Sequence, residues 1–356
     1  MSTISLCMIV KNEEKVLSRC LESVHKMLDE IIIVDTGSTD TTKEIAREYT
    51  DKIYTVEWND NFAEVRNYAL KQSTMDYALV LDADEVMTED SYERIHEFIK
   101  NRERVIGRIK CKNIFKNHSG EEVNSISWIS RIIPKGVYYE GAIHEQIVSS
   151  LPRKNIEVLI HHDGYFENNK VDRNLPILLK ELQRKNDDAY ILYQVAKQYK
   201  LAGQYEESLE YFIQSYNNVR MEDSFRNILV VDFLYVMKEV KVFDVALDVI
   251  HLEMNSLKDY VDFHFLLGLL YMEMSIHNPN MYMKYVPLIE KSYEKCIELG
   301  DSVHHDGMEG TGTFLAYYNL GLYYELFGFK DQAINCFEQS MSYGYQKAKD
   351  RVHTLK

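Results

Sequence analysis

The chain has 356 residues, of which 46% are hydrophobic, so it is long enough for two domains with separate cores. Its net charge of −15 argues against a general nucleic-acid or anionic-membrane binder, because both require a basic surface. The five scattered cysteines form no CxxC pair, and neither a signal peptide nor an apolar run of the ~20 residues that span a bilayer is visible. We therefore expect a soluble cytoplasmic protein without a nucleic-acid partner or an integral membrane segment.

The first half of the chain alternates strand and helix patterns. Short apolar runs predict strands over residues 4–10, 30–34, 53–56 and 77–81, with helical patterns between them. Strands that alternate with helices indicate right-handed βαβ units and a parallel sheet. Between residues 105 and 160 the pattern changes to strands joined by turns, which indicates a smaller antiparallel addition to that sheet.

The second half contains paired helices that repeat. Two units carry small and aromatic residues at the same spacing: Ala196, Tyr199, Ser208 and Phe212 in one, and Gly321, Tyr324, Ala333 and Phe337 in the other. This spacing resembles tetratricopeptide repeats, which more often bind another chain than serve only as a stabilising or dimerising appendage. We predict an α/β domain over residues 1–165, a connecting helix within 166–187 and an all-α repeat domain over 188–356.

The fourth predicted strand stops at two carboxylates, Asp82 and Asp84. While the chain stays extended, both point to the same face, and they repel each other unless a cation lies between them. Oxygen ligands suit a hard ion such as Mg²⁺ or Mn²⁺ that also binds a substrate phosphate. The alternative is a solvated acidic loop, which this short motif alone does not exclude.

Polar residues follow the other strands at the same predicted edge of the sheet. The first strand ends at Val10, and Glu13 lies three residues later. The second strand ends at Asp35, and the helix after the third strand carries Arg66. Open parallel sheets bind ligands at this edge. Each residue has a plainer alternative as a helix cap or a surface charge, but four markers at consecutive strand ends favour a binding crevice.

The segments SLCMIVKNEE, IIIVDTGSTD, NFAEVRNYAL and LVLDADE, in this order, resemble family 2 inverting glycosyltransferases. The resemblance implies a nucleotide-diphospho-sugar transferase (GT-A) fold, with a mostly parallel sheet. Together with the helical repeats, the chain is similar to a bacterial subgroup that includes the S- and O-glycosyltransferases of glycocin bacteriocin peptides.

The resemblance also implies roles for individual residues. The Val10 backbone and Glu13 would line the pocket of the nucleotide base, Asp35 would contact the base or its ribose, and Arg66 would lie near the diphosphate. Asp82 would hold the ribose or a metal-bound water, and Asp84 would bind the divalent metal. The cation would neutralise the leaving nucleoside diphosphate.

Two later motifs complete the expected site. In YEGAIHE, Glu145 is the candidate base that removes the acceptor proton, with His144 as the second candidate, and a strand-end ion pair is the alternative. In IHHDGY, His162 resembles the histidine that closes the metal site in many GT-A enzymes, although it could be a structural histidine. Arg131 is a candidate contact to phosphate or acceptor.

The leading hypothesis is a metal-dependent transferase that moves a hexose from UDP-glucose or another UDP-hexose to a Cys, Ser or Thr side chain of a peptide or protein. The repeats would present that acceptor, and could also form a homodimer. A second hypothesis replaces the acceptor by a cell-envelope glycan or a lipid-linked saccharide. A third is a catalytically silent scaffold, against which the intact acidic and basic residues of the crevice argue.

Overall fold

A computed structural model describes residues 2–100, 104–116, 122–162, 170–301 and 306–356. The chain divides into two units, Met1–Glu181 and Leu182–Lys356. The expected boundary between residues 165 and 166 lies outside the described residues. The helix that was expected to connect the domains spans Lys170–Leu182, so nearly all of it belongs to the first unit.

A mixed sheet forms the centre of the first unit. Its strands are β1 (Ile4–Val10), β2 (Glu30–Asp35), β3 (Ile53–Thr55), β4 (Tyr77–Val80), β5 (Glu85–Met87), β6 (Ile106–Lys116), β7 (Glu122–Pro134) and β10 (Arg153–His162), in the order β3-β2-β1-β4-β7-β6-β10-β5. Strands β1 to β4 are parallel, whereas β7 is antiparallel to β4 and β6. A separate two-stranded ribbon pairs β8 (Tyr139–Glu140) with β9 (Gln146–Ile147). These features confirm the expected fold class.

The antiparallel addition differs from the expectation in one respect. Strand β10 runs parallel to β6 and antiparallel to β5. A short-range turn pattern cannot reveal this pairing, because the β8–β9 ribbon lies between β7 and β10 along the chain. The arrangement sets His162 directly opposite Asn113 of β6.

Among the described residues of this unit, the sheet is accompanied by the helices α1 (Leu17–Val24), α2 (Thr42–Arg47), α3 (Phe62–Gln72), α4 (Ser91–Ile99) and α5 (Lys170–Leu182), with a 3-10 turn over His25–Met27. Helix α3 begins where the Asn61 side chain accepts a hydrogen bond from the backbone N–H of Glu64 at 3.0 Å. An asparagine at this position satisfies a donor that the helix itself cannot pair. The cap therefore fixes the start of the helix that carries Arg66.

The central strands have side chains buried on both faces, which accounts for their uninterrupted apolar sequences. Ile33 packs with Ile4, Leu6 and α1 in one cluster, while Ile32 and Val34 pack against α3 in the other. The sheet is thereby held between helices on its two sides. Polar side chains that could bind a ligand lie in the loops that follow the strands.

The second unit consists of helices, with a short strand β11 (Gly307–Met308) and a 3-10 turn over Met283–Tyr285. The helices are α6 (Ala189–Leu201), α7 (Tyr205–Asn218), α8 (Arg226–Glu239), α9 (Phe243–Glu253), α10 (Val261–His277), α11 (Pro279–Tyr282), α12 (Val286–Leu299), α13 (Phe314–Leu326), α14 (Lys330–Ser342) and α15 (Gln346–Leu355). The pairs α6/α7, α8/α9, α10/α12 and α13/α14 pack together. These hairpins confirm the tetratricopeptide-like domain.

The predicted repeat extends to individual contacts. Ser215 Oγ donates a hydrogen bond to the Ala189 carbonyl at 2.7 Å, and Ser340 Oγ donates to the Phe314 carbonyl at 2.8 Å, both across 26 residues. Gly321 lies against the buried ring of Phe337, where an added Cβ would stand 2.6 Å from the ring. The small residue lets the two helices approach, and the aromatic ring fills the space between them. Within the described ranges, none of the helices is both long and apolar enough to cross a membrane.

Candidate functional site

The carboxyl ends of three parallel strands lie at one edge of the sheet. Val10 of β1 stands beside Asp35 of β2, and β4 ends in register with Cys7 of β1. The loops that follow these strands therefore meet there, as expected for the crevice of an open parallel sheet. The predicted polar residues are found in these loops and on the elements that face them.

Arg66 on α3 joins two of the predicted site residues. Its side chain is 8% exposed, its Nη2 donates to Asp82 Oδ1 at 2.7 Å, and its Nε forms an ion pair with Glu145. The guanidinium also lies 5.9 Å from the centre of the Tyr139 ring. The first acid of the strand-end motif and the candidate base are therefore fixed by the same cation.

Arg131 on β7 extends this cluster on its other side. Its Nη2 lies 3.0 Å from Asp82 Oδ2 and forms a second ion pair with the buried carboxylate of Glu85. Glu85 also accepts a hydrogen bond from the backbone N–H of Asp82 at 2.9 Å. Three carboxylates thus surround two guanidinium groups, so neither arginine carries an unneutralised charge.

The charges of the cluster shift the pKa values of its members. Burial opposes ionisation of Asp82, but Arg66 and Arg131 outweigh burial and hold its pKa well below the usual range. Burial raises the pKa of Glu85, although the charge of Arg131 opposes that rise. Burial also acts against the charge of Arg66, yet Asp82 and Glu145 raise its pKa. Asp82 and both arginines therefore remain charged at neutral pH.

The two acids of the strand-end motif have different partners. Strand β4 ends at Val80, and a turn closed by the hydrogen bond from Glu85 N–H to the Asp82 carbonyl, 3.1 Å, separates Asp82 from Asp84. The expectation that both carboxylates point the same way held only for an extended chain, and the turn means that this condition is not met. Asp82 binds the two arginines, whereas Asp84 lies against His162.

Asp84, His162 and Asn113 form a second group. His162 Nε2 is 3.2 Å from Asp84 Oδ2, and His162 Nδ1 is 2.9 Å from Asn113 Oδ1. An amide oxygen only accepts hydrogen bonds, so this contact assigns a proton to Nδ1 and directs Nε2 toward Asp84. Burial raises the pKa of Asp84, but the hydrogen bond and charge of His162 outweigh burial and lower it. Lys170 Nζ lies 3.7 Å from the same carboxylate.

Asp84 and His162 are suited to act as two of the ligands of a divalent cation. Within the described ranges, no group of three or more His, Cys, Asp or Glu side chains is arranged to hold a metal ion. Mg²⁺ often binds through one or two carboxylates and completes its coordination with water and substrate phosphate. Asp84 provides the carboxylate, His162 places an imidazole nitrogen beside it, and Asn113 orients the imidazole as an outer partner does in metal sites.

Buried polar atoms next to the cluster lack hydrogen-bond partners among the described residues. They are Arg66 Nη1, Arg131 Nε and the Tyr139 hydroxyl. Burial raises the pKa of Tyr139 to about 12, against the opposing charge of Arg66, so the phenol keeps its proton at neutral pH. All three atoms are donors, which suits a ligand rich in oxygen acceptors.

The residues expected at the nucleotide base have structural partners. The carbonyl of Val10 accepts hydrogen bonds from Thr36 N–H at 3.0 Å and from its hydroxyl at 3.2 Å. The Asp35 side chain has no exposed surface and accepts from the N–H groups of Gly37 and Ser38 at 3.0 and 3.1 Å. Asp35 therefore shapes the loop after β2, and a direct contact to the base or ribose would require another side-chain position. Glu13 is half-buried, and its N–H donates to Thr42 Oγ1 at 2.7 Å.

The segment from Tyr139 to Glu145 is attached to α3 at several points. The Asn67 side chain bonds both the N–H and the carbonyl of Tyr139 at 2.8 Å, and Phe62 N–H donates to the Ala142 carbonyl at 2.7 Å. His144 has a φ of 50°, a left-handed conformation that few non-glycine residues adopt. This left-handed residue directly precedes Glu145, whose side chain is 11% exposed and bound to Arg66.

The prediction missed three residues of the site. Glu85 could have been noted, because it directly follows the two acids of LVLDADE and would need its own counterion. Asn113 carried no local signal, since its place depends on the pairing of β6 with β10. Tyr139 belongs to the quoted motif YEGAIHE but was not assigned a role, because a tyrosine there is equally consistent with a core position.

Comparison with known proteins supports the interpretation of the first unit. Residues 5–135 match the family model described as Glycosyl transferase family 2. The SPbeta prophage-derived glycosyltransferase SunS of Bacillus subtilis (strain 168) is 27% identical over 229 residues, which cover 61% of this chain and 54% of that protein. The first unit therefore contains a glycosyl transferase family 2 domain.

Two further relatives match shorter stretches. The TPR repeat-containing protein Synpcc7942_0270 of Synechococcus elongatus is 44% identical over 95 residues, 27% of this chain and 24% of its own. The lipopolysaccharide core biosynthesis glycosyltransferase LpsC of Rhizobium meliloti is 30% identical over 109 residues, 29% of this chain and 40% of its own. The matches thus span between a quarter and about half of the relatives' lengths.

Proposed function

We propose that this chain, with its family 2 glycosyltransferase domain, is a metal-dependent inverting glycosyltransferase acting in the cytoplasm. It transfers a hexose from a UDP-linked donor to a Cys, Ser or Thr side chain of a peptide or protein. The observation that carries the proposal is Arg66, which binds Asp82 and Glu145 at the carboxyl edge of the sheet. One buried cation thereby sets the donor-side acid and the candidate base at a fixed separation.

The chain's own residues have separate tasks in this proposal. Glu145 removes the acceptor proton on the face opposite the leaving group, and His144 is the second candidate for this task. Arg66 holds Glu145 in position and, through its unpartnered Nη1, can donate to a donor oxygen. Arg131 fixes the other oxygen of Asp82, so that Asp82 is oriented for a ribose hydroxyl or a bound water.

Asp84 and His162 are the proposed ligands of Mg²⁺ or Mn²⁺. When bound, the ion neutralises negative charge on the departing nucleoside diphosphate. The support is chemical: a carboxylate and an imidazole nitrogen lie side by side, and Asn113 fixes the tautomer of the imidazole. Asp82 contributes through water at most, because both of its oxygens are bound to arginines.

The peptide acceptor rests on the tetratricopeptide-like domain and on the resemblance to peptide glycosyltransferases. A repeat array offers an extended surface for another chain. The similarity to glycosyltransferase SunS is compatible with this assignment. Formation of a homodimer through the helical domain stays a prediction.

The test combines the purified protein, UDP-glucose, Mg²⁺ or Mn²⁺ and peptides that carry a single cysteine or serine. Mass spectrometry should detect one added hexose, and Asp84→Asn should reduce the rate by about 10²–10³-fold through lost charge stabilisation. Asp51→Asn is the matched control, because Asp51 is exposed and its carboxylate is not part of the crevice. Absence of binding and hydrolysis for every UDP-hexose, with every divalent metal, would refute the enzyme assignment.

A glycan acceptor is the second candidate, favoured by the similarity to LpsC. Parallel reactions with lipid-linked and free saccharide acceptors distinguish the two. A hexose increment on saccharide alone would replace the peptide assignment.

A further inference from the structure

Helix α5, expected from sequence only to connect the domains, lies against the crevice of the first unit. At its start, Lys170 Nζ is 3.7 Å from Asp84 Oδ2. Near its end, the Glu181 carboxylate accepts a hydrogen bond from the Ala142 N–H at 3.0 Å, in the segment that leads to Glu145. The helix therefore contacts both the candidate metal ligand and the segment of the candidate base.

Arg173, one turn into α5, is the exposed cation of this arrangement. Its guanidinium carbon lies 5.2 Å from the centre of the Phe62 ring, and its Nε donates to Asn174 Oδ1 at 2.9 Å. Within the described ranges, Arg173 forms no ion pair, so both of its Nη groups remain available. Burial lowers the pKa of Arg173, and the negative charges of Asp82, Glu13, Asp84 and Glu145 oppose that shift. Arg173 therefore lies on the helix that contacts the crevice, next to Phe62, and is not paired with any one carboxylate among the described residues.

The other arginines of the crevice cannot supply this free charge. Arg66 and Arg131 are buried, and their positive charges are matched by Asp82, Glu145 and Glu85. A diphosphate that approached these residues alone would meet an excess of carboxylates. A cation from outside the sheet edge would relieve that repulsion.

We infer that Arg173 is a diphosphate-binding residue of the nucleotide-sugar site, with its guanidinium plane held on Phe62 and its Nη groups directed to phosphate oxygens. The inference rests on the proposed function and adds to it a donor contact from α5. A planar guanidinium can bind two phosphate oxygens through a rigid pair of parallel N–H bonds, a geometry that a lysine ammonium lacks. The helix would thereby contribute to donor binding as well as to connecting the domains.

The test compares binding of UDP and of uridine by calorimetry, both with Mg²⁺. Arg173→Gln should weaken UDP binding by about 10-fold to 100-fold, the range expected when hydrogen bonds between charged groups are lost. Uridine binding should change by less than about two-fold, because uridine carries no phosphate. Arg173→Lys should retain part of the UDP affinity, since it keeps the charge without the planar fork.

Arg47→Gln is the matched control, because Arg47 is an exposed arginine in the last turn of α2, paired with Glu44. It should leave the affinity for both ligands unchanged. Equal losses for UDP and uridine in Arg173→Gln would overturn the inference in favour of a packing role on Phe62. Unchanged UDP affinity would overturn it while leaving the glycosyltransferase proposal intact. A wild-type protein that binds neither ligand would overturn the proposed donor, and this inference with it.

Discussion

Replacement of Arg66 by methionine tests whether the buried charge cluster stabilises the first unit. The variant keeps most of the side-chain volume but removes the cation between Asp82 and Glu145. Glu145, whose side chain is 11% exposed, then loses its counterion in a buried environment, whereas Asp82 is 35% exposed and keeps Arg131. Removal of one partner of a buried ion pair costs about 3–5 kcal/mol, because an uncompensated charge remains. We expect a loss of this size in the free energy of unfolding.

An exposed arginine gives the matched comparison. Arg47 lies 2.9 Å from Glu44, and the two side chains are 59% and 62% exposed. Exposed ion pairs contribute about 0–1 kcal/mol, since solvent screens both charges. Arg47→Met removes the same chemical group and should therefore change the stability by less than about 1 kcal/mol.

Tryptophan fluorescence during urea unfolding isolates the first unit. The chain contains two tryptophans, Trp58 and Trp128, and both lie before residue 182. With a urea dependence of about 2 kcal/mol per molar, the expected loss for Arg66→Met lowers the unfolding midpoint by about 1.5–2.5 M. Equal midpoints for Arg66→Met and Arg47→Met would refute the stabilising role of the cluster.

The pH dependence provides a second check on the same variant. Asp82 has a lowered pKa in the folded protein, so its contribution to stability is present above its unfolded pKa of about 3.9 and is lost as the pH falls through the folded value. Without Arg66 the folded pKa rises toward the unfolded value. The difference between wild type and variant should therefore be largest near neutral pH and shrink in acid. A difference that is constant with pH would show that lost packing is the cause.

Three further predictions concern the base, a helix contact and a titrating carboxylate. Glu145→Gln should slow transfer to serine by about 10²–10⁴-fold but transfer to cysteine less, because a thiol has a pKa of about 8.5; equal losses in peptide assays would contradict its role as base. Gly268→Ala should lower the free energy of unfolding of the second unit by about 1–2 kcal/mol, because the new Cβ would stand 2.5 Å from the buried Tyr293 ring. Urea unfolding followed by circular dichroism measures this loss. An unchanged or raised urea midpoint would mean that the ring moves freely. Burial raises the pKa of Asp262 to about 6, so its contribution to stability is present below about pH 4 and is lost as the pH rises through 6. The free energy of unfolding of Asp262→Asn should therefore rise by about 2–3 kcal/mol relative to that of the wild type between pH 4 and pH 7. A difference between the two proteins that does not change with pH would contradict this.

The sequence predicted those parts of the fold that depend on local patterns. The apolar runs of β1 to β4 and the repeated small and aromatic residues of the hairpins were recognisable because each is periodic within one element or one hairpin. The pairing of β10 with β6 was not, because it joins segments about 50 residues apart. The position of His162 beside Asn113 therefore required the structure.

The sequence predicted which residues belong to the candidate site better than it predicted which of them contact one another. Their positions near strand ends predicted Arg66 and Asp82 as site residues, and the two form an ion pair in the crevice. Their mutual ion pair, the turn that separates Asp84 from Asp82, and the complete burial of Asp35 depend on loop conformations that no strand pattern encodes. Charge composition alone also could not show that the connecting helix, which carries Arg173, contacts the crevice.

The attachment of the segment 139–145 to α3 limits where this protein tolerates changes in length. Three residues of α3 contact this segment: the N–H of Phe62, the guanidinium of Arg66 and the side chain of Asn67. One residue inserted into α3 between them would rotate the later contacts by about 100° around the helix axis. Insertions should therefore be accepted before Asn61 or after Gln72, where they leave the spacing of these three residues intact.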